Sequence, residues 1–372
     1  MSVGVGRFSD DGAADVVVLT RSPARLSVFR FDGVAFQLQD DADIGLEPMD
    51  LAVGSLDDDE YDDVVVVDGG DPTQGAVTLF WGASGGLFSD TPTSFDEPLP
   101  FPHSVDIGRM LGNATPQFVV SSGTAENASS LFAVNERQPT RLFTHPSVSA
   151  SPWDTVLVDL NGEPPLEALV AGSNDEGLDQ GSFPGGDRVH VLSATAGNGI
   201  SALQVLDAAH SPFGVDAGDL DGDGIPEVIV VGKNIEMPAV VSEKSDQPSQ
   251  VSICSRDSLR DELTCSTWEP GPAHIGYNNV RLTDLNCDGE LDAVIGTSGG
   301  TDPGDGALLV AQGPLLAGFV PMLLGETGPI GNKIAIADVT DDGAPDIVVP
   351  RYGTEGAAQG VVRVYSFEEP QE

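Results

Sequence analysis

Apolar positions along this chain fall in many short runs, not in long stripes of helical period. Segments such as Val64–Val67, Val228–Val231 and Ile347–Val349 are continuously apolar, the pattern of a strand covered on both faces. Glycine, proline and acidic residues punctuate these runs, as expected of an all-β protein built from many short strands. In one stretch the runs resolve into four strands, at about Met49–Leu56, Asp63–Asp68, Ala76–Trp81 and Leu87–Phe95. A lone four-stranded sheet that is apolar on both faces is not stable in water. Several such sheets packed face to face around an axis bury those faces.

Self-comparison finds this unit seven times. Its marker is an acidic turn between the first two strands, clearest in Gly218-Asp219-Leu220-Asp221-Gly222-Asp223-Gly224-Ile225-Pro226-Glu227. With Asp219 as position 1, oxygen-bearing residues stand at positions 1, 3, 5 and 9. The other first positions are Arg7, Ser55, Arg109, Asp159, Asp284 and Asp338, at intervals of 48 to 65 residues, the span of a propeller blade with variable loops. Pro48, Pro102, Pro152 and Pro212 each lie seven residues before position 1, where proline opens a strand without removing a ladder hydrogen bond. The expected fold is therefore a single domain over 1–372, a seven-bladed β-propeller of four-stranded antiparallel blades. The seventh unit is short, and its blade is expected to have three strands unless further residues close the ring.

Oxygens at alternate positions of a tight turn converge on one side, and a hard cation such as Ca²⁺ takes six to eight of them. Cysteine and histidine are absent from the ligand positions, which argues against zinc. The ligand set is complete in the fifth turn, Asp219, Asp221, Asp223 and Glu227, with the carbonyl of Ile225 at position 7. The sixth offers Asp284, Asn286, Asp288, Asp292 and the Glu290 carbonyl; the seventh offers Asp338, Thr340, Asp342, Asp346 and the Ala344 carbonyl. The second turn is a plausible site, with Ser55, Asp57, Asp59, Asp63 and the Tyr61 carbonyl. Calcium is expected in about three or four turns, in a structural role. The turn at 7–15 opens on Arg7, the turn at 109–117 has no acid, and the turn at 159–167 has Pro164 where glycine is expected.

This acidic repeat resembles the FG-GAP/VCBS repeat of integrin α-subunit propellers and of many bacterial secreted proteins, over about residues 2–367. The resemblance implies calcium on one face, partners on the opposite face, extracellular or cell-surface placement, and adhesion or recognition.

Composition sharpens the exclusions. There are 59 acidic against 16 basic side chains, a formal net charge of −43, which repels phosphate backbones and anionic headgroups. Nucleic acid is not an expected partner, and no apolar run is long enough to form a membrane helix. No signal peptide is evident, so the extracellular placement rests on the resemblance alone. Of the acids, 24 lie in the seven nine-residue turns, a clustering that calls for a cation. Cys254 and Cys265 are placed to close a hairpin, leaving Cys287 over.

Long Gly/Asp-rich segments at 173–187, 233–250, 298–306 and 351–360 are candidate recognition loops on the face away from the acidic turns. His103, His145, His210 and His274 precede first strands and are expected there too. Gly82-Ala83-Ser84-Gly85-Gly86 matches a nucleophile-elbow string but falls in a turn between strands. The reading is a binding module and not an enzyme, with a protein or carbohydrate ligand. A polysaccharide-degrading enzyme and a purely structural propeller are the alternatives.

Overall fold

The computed structural model describes residues 1–10, 14–45, 47–57, 59–69, 75–95, 97, 99–112, 115–123, 128–146, 151–162, 164–173, 188–195, 199–232, 249–257, 262–269, 276–298, 306–326, 330–331, 333–351 and 361–367. Seven antiparallel sheets form, each from strands consecutive in the chain. Six have four strands, and the seventh (Ala335–Ala337, Asp346–Arg351, Val361–Tyr365) has three among the described residues. Their first strands are Ser2–Gly6, Pro48–Gly54, Pro102–Ile107, Ser151–Val158, Pro212–Gly218, Gly276–Thr283 and Ala335–Ala337. Each first strand contacts the next, and the last returns to the first. The architecture is a seven-bladed β-propeller.

The second strands explain why the ring closes. Val64–Val67, Val228–Val231 and Ile347–Val349 are buried throughout, because each sheet is sandwiched between two neighbours. Seven apolar clusters fill the seven interfaces between adjacent blades. The cluster that joins the last blade to the first sets Val339 and Val348 against Val3, Val16 and Val18. Burying such a side chain stabilises by roughly 1.5–3 kcal/mol, so apolar contact holds the last blade against the first.

Facing the axis, the first strands carry main-chain groups that no further strand can satisfy. Side chains from the preceding blade do so. Val105 N–H donates to Asp50 (3.1 Å), Leu157 N–H to Asp106 (2.7 Å), Val215 N–H to Asp154 (3.2 Å) and Leu282 N–H to Asp216 (2.8 Å). Ile334 N–H donates to Asn279 Oδ1 at 3.3 Å. Two cations offset these buried acids: Lys333 Nζ lies 2.8 Å from Asp50, and Arg281 lies 3.1 Å from Asp154. Desolvation still raises Asp106, and pushes Asp216 up to about 6. An axial cavity of about 340 Å³ opens among Asp106, Arg281, Lys333 and the apolar wall of the first and seventh blades.

Cys254 and Cys265 pair across adjacent strands of the fifth blade and are joined by a disulfide. Cys287 is free and exposed.

Candidate cation loops

All seven turns, six of them acidic, join the first strand of a blade to its second. At position 2 every turn carries an apolar residue: Phe8, Leu56, Met110, Leu160, Leu220, Leu285 and Val339, each no more than 6% exposed. This plug anchors the turn to the core. At position 9 a side-chain oxygen reaches back across the turn to a main-chain N–H. Asp63 accepts from Leu56 (2.8 Å), Glu167 from Leu160 (3.0 Å), Glu227 from Leu220 (2.9 Å), Asp292 from Leu285 (3.1 Å) and Asp346 from Val339 (2.9 Å). In the acid-free third turn Gln117 makes a similar bond one residue further on, to the position 3 N–H of Leu111 at 2.9 Å. Position 9 is therefore a staple whether or not it is charged. The apolar position 2 recurs in the sequence in all seven turns and is a signal as regular as the oxygen spacing.

The fifth, sixth and seventh turns share one backbone. Position 6 is left-handed in each (Gly224, Gly289, Gly343), and so is position 4 (Gly222, Cys287, Asp341). Glycine adopts such angles at little cost, whereas Cys287 and Asp341 are strained there. This path aims the N–H groups of positions 5 and 6 at the position 1 carboxylate. Asp219 accepts from Asp223 (3.1 Å) and Gly224 (2.8 Å), Asp284 from Asp288 (3.1 Å) and Gly289 (2.8 Å), and Asp338 from Asp342 (3.1 Å) and Gly343 (2.9 Å). Position 5 is turned inward in the same way, Asp223, Asp288 and Asp342 accepting the position 7 N–H groups of Ile225, Glu290 and Ala344 at 2.8–3.0 Å. Thr340 donates its hydroxyl to Asp346 at 3.0 Å.

In the fifth turn, ligand oxygens of Asp219, Asp221 and Glu227 all lie within 4.8 Å of one another; among the described residues no other cluster of three acids, histidines or cysteines is as tight. Burial, and then the neighbouring Asp221, Asp223 and Asp219, raise the Glu227 carboxyl above its ordinary range. Burial with Asp288 and Asp284 does the same to Asp292. Among the described residues, no lysine or arginine pairs with any carboxylate of these three turns.

The second turn departs from that pattern. Asp57 and Asp59 accept the N–H groups of Asp59 and Tyr61 (3.0 and 2.9 Å), but a guanidinium from the third blade fills the mouth of the turn. Arg137 Nε lies 2.7 Å from Asp57 and a terminal nitrogen 3.3 Å from Asp59, while the group also pairs with Asp90 and lies 5.2 Å over the Trp81 ring. Arg137 supplies positive charge where the sequence suggested Ca²⁺. Its left-handed backbone, φ 61°, marks the tip of the hairpin that delivers it. Asp63 is pushed up to about 7 by burial, with Asp57 and Asp59 adding to the effect. The Ser55 hydroxyl donates to the Asp57 carbonyl at 3.1 Å.

The remaining turns are closed by protein groups. Arg30 pairs with Asp15 at 2.8 Å in the first. Asn161 donates its amide to Glu167 at 3.0 Å in the fourth. Glu163 and Asn113 lie outside the described residues, as do His274 and nearly all of the candidate recognition loops at 173–187, 233–250, 298–306 and 351–360. His103 is buried at the start of a first strand and His210 is exposed just before one. His145 stands near the end of the outer strand Gln138–Pro146, paired with Ser129, and so precedes the first strand Ser151–Val158 at the end of the blade away from the turn. The 82–86 string forms a turn in which Gly86 N–H donates to the Ala83 carbonyl at 2.8 Å, without the helix a nucleophile elbow needs.

No protein-family model matches the chain, and no curated protein sequence matches it. Among solved structures it is similar to the Dos1 propeller, with a TM-score of 0.51 and 14% sequence identity over 96% of this chain and 76% of that one. At that identity the likeness speaks for the propeller fold alone.

Proposed function

We propose that this chain is a calcium-stabilised recognition propeller of the FG-GAP/VCBS kind, working outside the cell. The observation that carries the reading is the shared cradle of the fifth, sixth and seventh turns. There, main-chain N–H groups hold the position 1 and position 5 carboxylates inward, and among the described residues no basic side chain pairs with them. Hard oxygen donors on a flexible turn suit Ca²⁺ better than Mg²⁺, which demands a stricter octahedron. Bound there, the ion supplies the charge that Arg137 supplies in the second turn. We read the chain as a binding module for a protein or carbohydrate ligand, not an enzyme, with the ligand on the face opposite the acidic turns.

Calorimetric titration with calcium, together with terbium luminescence in Asp219→Ala and Asp284→Ala variants, tests the metal assignment. Binding that falls by about one site per variant supports it. Absence of binding, or a melting temperature indifferent to chelator, overturns it.

A further inference from the structure

The rim of the last blade differs from the other six. In blades one to six the third strands are Ala24–Phe31, Ala76–Phe80, Ala128–Asn135, Arg188–Thr195, Gln250–Asp257 and Ala307–Ala311, and each has a fourth strand paired outside it. Each of those third strands holds at least three buried residues. Val361–Tyr365, the third strand of the last blade, holds none, and Val361 is 50% exposed. Among the described residues no strand pairs with its outer edge. Such an edge presents main-chain N–H and C=O groups ready to pair with an incoming strand.

Alternation sends the side chains of this strand towards two neighbours. Val362 and Val364 pack with Phe29 and Phe36 of the first blade. Val361, Arg363 and Tyr365 share the other face with Arg351, towards the sixth blade. There the outer strand Met322–Glu326 runs close by: a Cβ added at Gly325 would stand 3.4 Å from the Tyr365 hydroxyl oxygen. Val320, Met322, Leu323, Leu324 and Val361 make up half of the large apolar side chains exposed among the described residues. Exposed apolar surface is thus concentrated at this rim, as at an interaction site. Two polar atoms of the same face, Tyr365 Oη and Arg351 Nε, are buried with no hydrogen-bond partner, a state that calls for one. Burial, and then the charge of Arg363, hold the Arg351 guanidinium below its ordinary range. Positive charge therefore gathers at this edge of an otherwise acidic chain.

We propose that the Val361–Tyr365 edge takes up an extended segment of a partner protein as the fourth strand of its blade. The segment is apolar at alternate positions and brings a carboxylate to the face that carries Arg351 and Arg363. Strand addition of this kind draws affinity from main-chain hydrogen bonds and specificity from alternate side chains. The sixth and first blades each extend one strand further out, about 4.8 Å. The recess between them admits one extended segment and not the sheet edge of a second propeller. Two copies of net charge −43 also repel each other. The stretches of this chain on either side of the strand, 352–360 and 368–372, contain no valine, isoleucine, leucine or phenylalanine, so they lack the pattern the recess matches. This rim site is separate from the acidic turns and from the face opposite them.

The test uses the full chain in calcium and two fluorescein-labelled peptides of eight residues that alternate valine and threonine, one with a central glutamate and one with a central lysine. Anisotropy is expected to show saturable binding, with the glutamate peptide about tenfold tighter. Arg363→Glu is expected to reverse that preference, and Val361→Asp to weaken both peptides about tenfold, while melting temperature and calcium binding hold. If Arg363→Glu does not fold, Arg363→Gln takes its place and is expected to abolish the preference. Hydrogen exchange followed by mass spectrometry should find fast amides within 361–365 that slow when peptide binds. Amides there that are all protected in the free chain would mean that the chain covers its own edge, and would overturn the inference. So would a dimer in sedimentation that Val361→Asp dissolves, peptide binding that leaves 361–365 unprotected, or failure of both peptides to bind.

Discussion

His103 makes the fold sensitive to acid in a way that can be isolated. Burial, with a contribution from Arg21, lowers its imidazole from 6.5 to about 4. In the folded chain the ring resists protonation; in the unfolded chain it titrates near 6.5. The sign follows from that order. Above 6.5 both states hold a neutral ring, and the His103 contribution is complete. As pH falls from 6.5 towards 4 the unfolded state takes the proton first, and stability is lost. A gap of about two and a half units corresponds to roughly 3 kcal/mol at the acid end, accruing at about 1.4 kcal/mol per pH unit. Carboxylates titrate over part of the same window, so the measurement is a difference. Urea unfolding of the parent and of His103→Phe, in saturating calcium at pH 8, 6.5, 5 and 4, gives it. The phenyl ring keeps the contacts with Phe101 and Trp153 and removes the titration. The stability difference is expected to move in favour of the variant by most of that amount between pH 6.5 and 4. A difference that stays flat with pH would refute the assignment of a buried, neutral, unpaired imidazole.

Further expectations concern the acidic turns. Chelation in low salt is expected to lower the melting temperature, and each site held at a hundredfold excess over its dissociation constant contributes about 2.7 kcal/mol; differential scanning fluorimetry reads the shift. Arg137→Ala is expected to destabilise by only about 1 kcal/mol, because its partners are partly exposed. Excess calcium should reverse that loss if the vacated turn takes the ion, and the same melting assay decides. Glu227→Gln keeps an oxygen for the Leu220 N–H, much as the Gln117 amide oxygen accepts a main-chain N–H of the third turn, but removes the charge of the proposed ligand. Calorimetry should show one fewer site or a weaker one, while the chelated variant should be no less stable than the chelated parent.

The ring was legible in the sequence because two of its markers are local. The 1-3-5-9 oxygens and the proline seven residues earlier both lie within one turn and one strand. Each repeats because every blade meets the same neighbours. What could not be read depends on pairing between blades. The carboxylate staples on the axis join residues 51 to 66 positions apart, and Arg137 reaches Asp57 across 80. Nothing in the local sequence of Asp106 or Asp216 separates a strand acid turned to the axis from one turned to solvent.

The seven turns can be understood as one electrostatic problem met in different ways. The plug at position 2 and the staple at position 9 fix the turn, and they recur even where position 9 is the neutral Gln117. The carboxylates at positions 1, 3 and 5 are therefore not required to shape it. The first turn sets Arg30 against its buried acid, the second admits Arg137, the fourth uses an Asn161 amide, and the third dispenses with acids altogether. Four turns thus work without a metal ligand set left open. The other three keep their inward acids with no cation paired to them among the described residues, although repulsion among them costs stability wherever nothing positive intervenes. That arrangement on three adjacent blades, beside four turns that meet the problem otherwise, is the physical reason we propose calcium as the counter-charge there.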